Sequence, residues 1–293
     1  MERHVSAVLS KLGLSSSPTD MAAHDYYNVY RKTRSRLEEL LAGEPPADWR
    51  ILDAGCGYNY PLVALLNGEV DEICGLDLSP VFFRDGRLGT FRQTLISGGV
   101  LRAAKRAGPM YSVYQRYYRI LTGLSGRTID HSALPLYTYD GRHFPFADEH
   151  FDAIVSNAVV EQVSDLDSFA SECARVLRND GIADILWHNY YSPSGAYRHA
   201  AEVARSPWGH LIGASRPSPL LNRKRPEEVR DAFAAQFTIL RMVGADIEHV
   251  LSDEEGFEPE GRDQLDKNWR RRLSEYPQDL LTTRSFLLQA KRD

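Results

Sequence analysis

Three carboxylates stand where an apolar run gives way to a loop: Asp53 after Ile51-Leu52, Asp77 after Ile73-Cys74-Gly75-Leu76, and Asp140 after Tyr137-Thr138-Tyr139. At such places an acid can face a cation or accept hydrogen bonds from hydroxyl groups. Gly55 and Gly57 follow Asp53 in a turn that a side chain would obstruct, so a ligand can approach bare backbone, and Pro61 suits the first turn of a helix. A dinucleotide fingerprint would carry a third glycine. Asn59, Tyr60, Pro61 and Leu62 stand there instead, which weakens a phosphate-binding reading. Asp77 lies 24 residues beyond Asp53 and one strand along, the place from which an acid accepts hydrogen bonds from two ribose hydroxyls.

A second set of residues offers proton transfer. His188 closes an apolar run and is the best-placed base, with Glu161, Tyr191 and His199 as further candidates. A hydrogen-bonded loop histidine is the plainer reading of His188. No metal is expected, because His188, His199 and His210 lack the close spacing of a ligand set.

The elements that must position these residues alternate along the chain. Residues 1 to 19 read as a lead-in, and Asp20 to about Leu41 as a helix capped by Asp20, its stripe formed by Tyr26, Tyr27, Tyr30, Leu37, Leu40 and Leu41. Strands are expected at 51–53, 72–77, 135–139, 151–157, 182–187, 237–243 and 283–290. Helices are expected over 62–66, from Asp165 to Leu177, over 226–235 and over 264–276. Residues 81–134 are too long for a connection and must carry structure of their own. Between 81 and 130 they hold nine Arg or Lys against two acids, with Tyr111, Tyr114 and Tyr118 at helical spacing. That insertion reads either as a solvated helical cap whose tyrosines pack on the core, or as a lid for an anionic acceptor. A second insertion, 189–225, is expected to help wall the site.

The order acid, x, Gly, x, Gly at a strand end resembles motif I of the class I S-adenosylmethionine-dependent methyltransferases. Asp77-Leu78-Ser79-Pro80 is similar to the family's second motif. Asp140, then Phe144-Pro145-Phe146, Asp148-Glu149 and Phe151-Asp152, leads into strand four in the family's manner. The helix ending Arg175-Val176-Leu177-Arg178, followed by Gly181 and a strand, matches again, so five motifs in order span 51 to 188. The resemblance implies an α/β, Rossmann-like, seven-stranded and mostly parallel sheet flanked by helices, with helical cap and lid insertions. It also implies a single domain over 1–293, with an N-terminal cap over 1–46.

By the same resemblance the cofactor is S-adenosylmethionine. Asp53 would help hold its ammonium, Gly55 and Gly57 would pack on its amino-acid part, and Asp77 would take the ribose. Leu78 would flank the adenine, and Asp140-Gly141 would bind its amino group. Asn157 would sit beside the sulfonium, and Tyr30 (or Tyr26) would fold over the cofactor from the N-terminal helix. Where the family commonly reads Glu-His-Val, this chain has Glu161-Gln162-Val163, so no role follows for a histidine there.

Composition bounds the alternatives. With 43% hydrophobic and 26% charged residues the chain reads as a globular protein able to bury a core. A net charge of -5 argues against coating nucleic acid or an anionic membrane. Three widely spaced cysteines, Cys56, Cys74 and Cys173, read as reduced core thiols in a cytoplasmic protein, and no membrane span is expected. The expected function is methyl transfer to a small polar acceptor, such as a secondary metabolite or saccharide. Competing readings are a nicotinamide-dependent reductase, a non-catalytic binding protein that keeps the cofactor fold, and a nucleic-acid methyltransferase motivated by the basic insertion.

Overall fold

The structure is a computed structural model that describes residues 17–43, 46–57, 59–78, 100–130, 134–195, 203, 206–214, 218, 220–247 and 272–293, and no side chain of 100–111. Within them the chain forms two compact units, Met1–Val155 and Ser156–Asp293.

In the first unit, α1 (Pro18–His24) is capped by Ser17, whose Oγ accepts the Asp20 N–H at 3.1 Å. Ser17, not Asp20, is therefore the cap, because Pro18 fits the first helical position immediately after it. The single helix expected up to Leu41 is three segments: α1, a π-helical stretch Asp25–Arg31, and α2 (Lys32–Leu41). It ends at Ala42 in the left-handed conformation (φ 54°), with the Gly43 N–H on the Glu38 carbonyl.

β1 (Arg50–Ala54), β2 (Glu72–Asp77) and β3 (Leu136–Thr138) pair in parallel, and β4 (Phe151–Asn157) lies parallel on the other side of β1. Ile51, Leu52, Ile73, Leu76, Phe151 and Ile154 are buried, the near-continuous apolar run of strands covered on both faces. Asp152 is buried too, and its carboxylate accepts the Arg50 N–H at 2.6 Å, so the acid of the Phe-Asp pair ties the entrance of β4 to that of β1. α3 (Pro61–Leu66) follows β1 and is buried throughout. α4 (Val100–Ser125) supplies helical structure within the 81–134 insertion. Tyr114, Tyr117 and Tyr118 on it are buried and Arg116 and Arg119 exposed.

The second unit carries α5 (Leu166–Val176), capped by Asp165 through the Ser168 N–H, then β5 (Leu177–His188), α6 (Pro226–Ala234), β6 (Phe237–Ile247), α7 (Gln278–Thr282) and β7 (Thr283–Arg292). β5 starts five residues before the expected 182. The Arg292 guanidinium donates to the Leu177 carbonyl, and Lys291 pairs at 2.8 Å with Asp180, whose backbone is left-handed (φ 64°), so the far end of β7 braces the entry to the strand before their ladder begins at Ile182. β7 runs antiparallel to both β5 and β6, with bulges in β6. Asp184 is fully buried on β5 and accepts the Gln289 amide at 2.9 Å.

The seven strands are ordered β3-β2-β1-β4-β5-β7-β6 with β7 the antiparallel one, which is the expected seven-stranded, mostly parallel α/β sheet flanked by helices. Among the described residues no helix is long and apolar enough to cross a membrane. The lead-in over 1–16, the acidic loop after Ile247, His199 and most of the helix expected at 264–276 lie outside the described residues.

Candidate functional site

In the first unit the Leu76 carbonyl accepts the N–H groups of Gly55 at 2.7 Å and Cys56 at 3.1 Å, so the loop leaving β1 turns back over β2. Gly55 (φ 93°) and Gly57 (φ 70°) adopt backbone conformations that other residues rarely take. Among the described residues, chain neighbours aside, no atom lies within 4 Å of where a Gly57 side chain would begin, so these residues leave room beside the backbone for a ligand. The Gly57 N–H donates to Asp77 Oδ2 at 3.0 Å, which joins the ends of β1 and β2 through one charge-assisted bond.

Close packing of strand and helix, the service of a third glycine in a dinucleotide fold, is achieved here from the neighbouring strand. A Cβ on Gly75 of β2 would sit 2.7 Å from Leu136 Cδ2 and 2.9 Å from both Cys56 Sγ and Val63 Cγ2. Only a glycine lets α3 and the loop settle that deeply. The sequence signal was a glycine inside an apolar strand, a mark of close approach.

Asp53 is 4% exposed, and burial, with the Asp77 charge second, pushes its carboxyl up from 3.8 to about 8. A cation brought to this acid would reverse the shift by stabilising its charged form. The two acids on adjacent strands therefore form a site that favours a positively charged ligand group. Burial, followed by Asp53 and Asp77, also raises the neighbouring Cys56 thiol, which keeps it protonated and inert.

Next to Asp77, Leu78 is 61% exposed, an apolar side chain left open to solvent. A Cβ on Gly141 (φ 86°) would lie 3.3 Å from Leu78 Cδ2, so the Asp140-Gly141 turn rests against it. Asp140 is exposed and its Oδ1 accepts the N–H groups of His143 at 2.9 Å and Arg142 at 2.8 Å, which lowers its pKa. The structure thus gathers Asp53, Gly55, Gly57, Asp77, Leu78, Asp140 and Gly141 along the carboxyl ends of β1, β2 and β3.

Tyr30 is placed elsewhere. Its hydroxyl donates to Glu69 at 2.8 Å and accepts from Arg34, and Glu69 also pairs with Arg34 and Arg127. Glu69 lies beyond the far end of α3 from the glycine loop, so Tyr30 serves as a clamp there. What holds the loop is Asp25, at the start of the π-helical stretch. Its Oδ2 accepts from the Asn59 amide and, at 2.8 Å, from the Tyr117 hydroxyl, and its Oδ1 faces His24 Nδ1 at 3.2 Å. Tyr118 donates to the Asn59 carbonyl at 2.8 Å. Sequence reading missed Asp25 because it looked like one more polar residue in an amphipathic helix. The wider π turn is a feature frequent at functional sites and has no residue-type signal.

In the second unit, Asn157 ends β4 and Ala158 turns out of it (φ 57°) with its N–H on the Leu186 carbonyl. Glu161 is 4% exposed in a 3-10 turn, Val160–Gln162. Asn222 grips that turn: its N–H bonds the Glu161 carbonyl and its amide the carbonyls of Val160 and Val163, each at 2.7 Å. His188 ends β5, half-buried, opposite Ser285 of β7. The amide beside it, Asn189, donates to the carbonyls of Leu280 and Thr283 and accepts the Tyr191 N–H. Asn189 is therefore spent on α7. Tyr191 donates to the Arg223 carbonyl at 3.0 Å, and buried His210 bonds the Tyr190 carbonyl at 2.7 Å. Among the described residues no group of three or more His, Cys, Asp or Glu is placed to hold a metal.

Residues 121–185 match the family model described as a methyltransferase domain. The matched segment runs from the end of α4 through β3, β4 and α5 into β5, and leaves the glycine loop outside it. No curated protein matches the sequence significantly. Similar solved structures include a methyltransferase from Bacillus halodurans (14% identity, 88% of this chain, 97% of that one, TM-score 0.48). Another is a sarcosine dimethylglycine methyltransferase from Galdieria sulphuraria (15%, 89% and 85%, TM-score 0.47). A third comes from the complex of a methyltransferase with the Haloferax volcanii Trm112 activator (17%, 92% and 96%, TM-score 0.46). Likeness at this level says nothing of the reaction.

Proposed function

We propose that the chain transfers a methyl group from S-adenosylmethionine to a small polar acceptor, a reading supported by the match of residues 121–185 to a methyltransferase-domain model and by the seven-stranded, mostly parallel sheet. The observation that carries this reading is the buried Asp53 facing Asp77, bridged to open backbone by the Gly57 N–H. That donor set suits a ligand with an ammonium at one end and a ribose beside it, and exposed Leu78 beside Gly141 suits a flat apolar base. The fit rests on this chain's residues: Asp53 takes the cation, Asp77 the hydroxyls, and Gly55 and Gly57 the backbone approach.

When bound, the cofactor supplies a methyl group made electrophilic by its sulfonium. The protein's part is then to align the acceptor, exclude water and remove a proton where the acceptor needs it. We assign His188, at the end of β5, to that proton, with Glu161 and Asn157 as neighbours in its unit. An amine acceptor that loses its proton beforehand needs no such base. Three buried free cysteines support a reducing, cytoplasmic setting. We further read the chain as one functional domain, with the N-terminal segments and the two insertions as its cap and lid.

The reading is checked by following S-adenosylhomocysteine release against a panel of hydroxyl, amine and carboxylate acceptors. Turnover should appear with a subset of them, and His188→Ala should lower it about a hundredfold or more with cofactor affinity unchanged. Undiminished turnover in His188→Ala would remove the base assignment.

A further inference from the structure

Beyond His188 the chain doubles back and sets two arginines on two tyrosines. The Arg223 guanidinium lies 5.6 Å from the Tyr190 ring centroid, and the Arg225 guanidinium 5.8 Å from that of Tyr191. The rings are packed in turn: Tyr190 on Tyr191 at 5.4 Å, Tyr191 on Tyr276 at 5.4 Å, and Tyr190 on His210 at 5.0 Å. Tyr190 is buried while both arginines are exposed. Arg223 is held in the left-handed region (φ 58°), an uncommon conformation for a residue with a side chain, and its carbonyl is anchored there by the Tyr191 hydroxyl.

Among the described residues neither guanidinium makes a salt bridge to a carboxylate, although the Arg225 charge is felt by Glu228. Glu228, three residues beyond Arg225, is committed to the Arg225 N–H at 2.8 Å and to Lys224 Nζ at 2.9 Å. A guanidinium lying over an aromatic ring loses part of its freedom while its N–H groups can still donate, and a planar fork of donors is what recognises an oxyanion. The platform also begins two residues after the end of β5, and ligands of open α/β sheets collect outside the carboxyl ends of strands.

The geometry points to an oxyanion site on Arg223 and Arg225, which takes a phosphate or carboxylate group of the methyl acceptor. The link to an acceptor rests on the methyl-transfer reading; the anion site itself does not. It gives the anion-recognising role to residues after β5, whereas the sequence had suggested the basic insertion at 81–134.

Calorimetric titration with pyrophosphate and, separately, with succinate tests this, in wild type, the double variant R223Q/R225Q and the charge-preserving R223K/R225K. Wild type should bind at least one probe, the Gln variant at least about tenfold more weakly, and the Lys variant between the two because an ammonium is not oriented by the rings. Response to pyrophosphate alone identifies phosphate as the recognised group, and response to succinate alone identifies a carboxylate. Binding of neither probe, or equal affinity in the Gln variant, would overturn the site. S-adenosylhomocysteine is titrated in parallel. If it binds while both anions fail, the anion site falls alone. If the anions bind and it does not, the methyl-transfer reading falls and the anion site stands.

Discussion

Around the glycine loop the polar side chains are turned toward protein: Asp77 holds the Gly57 N–H, Asp25 holds Asn59 and Tyr117, and Tyr118 holds the Asn59 carbonyl. After β5 the reverse arrangement appears. There the hydrogen bonds of Asn189, Tyr191 and His210 support the backbone, and the two arginines are presented outward on aromatic rings. A loop held rigid before its ligand arrives loses little entropy on binding, which suits one ligand of fixed shape. An exposed pair of cations on a firm base can take the charged end of ligands that differ elsewhere. On the proposed reading, the contrast is between a preformed seat for the cofactor and an open anchor for the acceptor.

The strongest way to break that contrast is to loosen the seat. Asp25→Ala leaves the Asn59 amide and the buried Tyr117 hydroxyl without their acceptor, at a cost of roughly 3 kcal/mol. Thermal unfolding should shift down by several degrees, and cofactor affinity should fall with it. An unchanged melting temperature would show that the network does not hold the loop.

How much of this was legible in the sequence depended on range. The acids at the ends of β1, β2 and β3 could be placed because each follows an apolar run directly, and the seven-stranded, mostly parallel sheet was implied by motifs spaced along the chain. Asp25 could not, since its partners lie 34 and 92 residues away and nothing about an acid between a histidine and a tyrosine announces burial. The partner of Tyr30 was hidden for the same reason. The aromatic stripe told which face of the helix is covered and could not tell that Glu69 would meet the hydroxyl. Arg223 and Arg225 were invisible because their significance lies in the rings beneath them.

A middle-sized effect concerns pH. The Asp53 carboxyl moves from 3.8 to about 8, so the folded chain holds its proton more tightly than the unfolded one. Stability therefore falls as pH rises from about 4 to about 8, by a few kcal/mol, and is level outside that window. Asp53→Asn should flatten the fall and leave the protein more stable at pH 8. If the proposed cofactor sets its cation on the ionised acid, affinity should rise up to about tenfold per pH unit toward 8 and then level off. Stability that rises over that window in wild type would contradict the burial of this acid.

The smallest effect sharpens the assignment of Tyr30. Tyr30→Phe removes one hydrogen bond to Glu69 and should cost about 1 kcal/mol of stability with cofactor affinity unchanged. A clear loss of affinity would return Tyr30 to the cofactor.

The most direct measurement is calorimetric titration of the wild-type protein and Asp77→Ala with S-adenosylmethionine, S-adenosylhomocysteine and NADH. Saturable binding of the two adenosyl ligands, weakened about tenfold to a hundredfold in Asp77→Ala, with no binding of NADH, is the expected result. Binding of NADH instead, or equal affinity of wild type and variant for S-adenosylmethionine, would contradict the assignment of this acid pair as the cofactor seat.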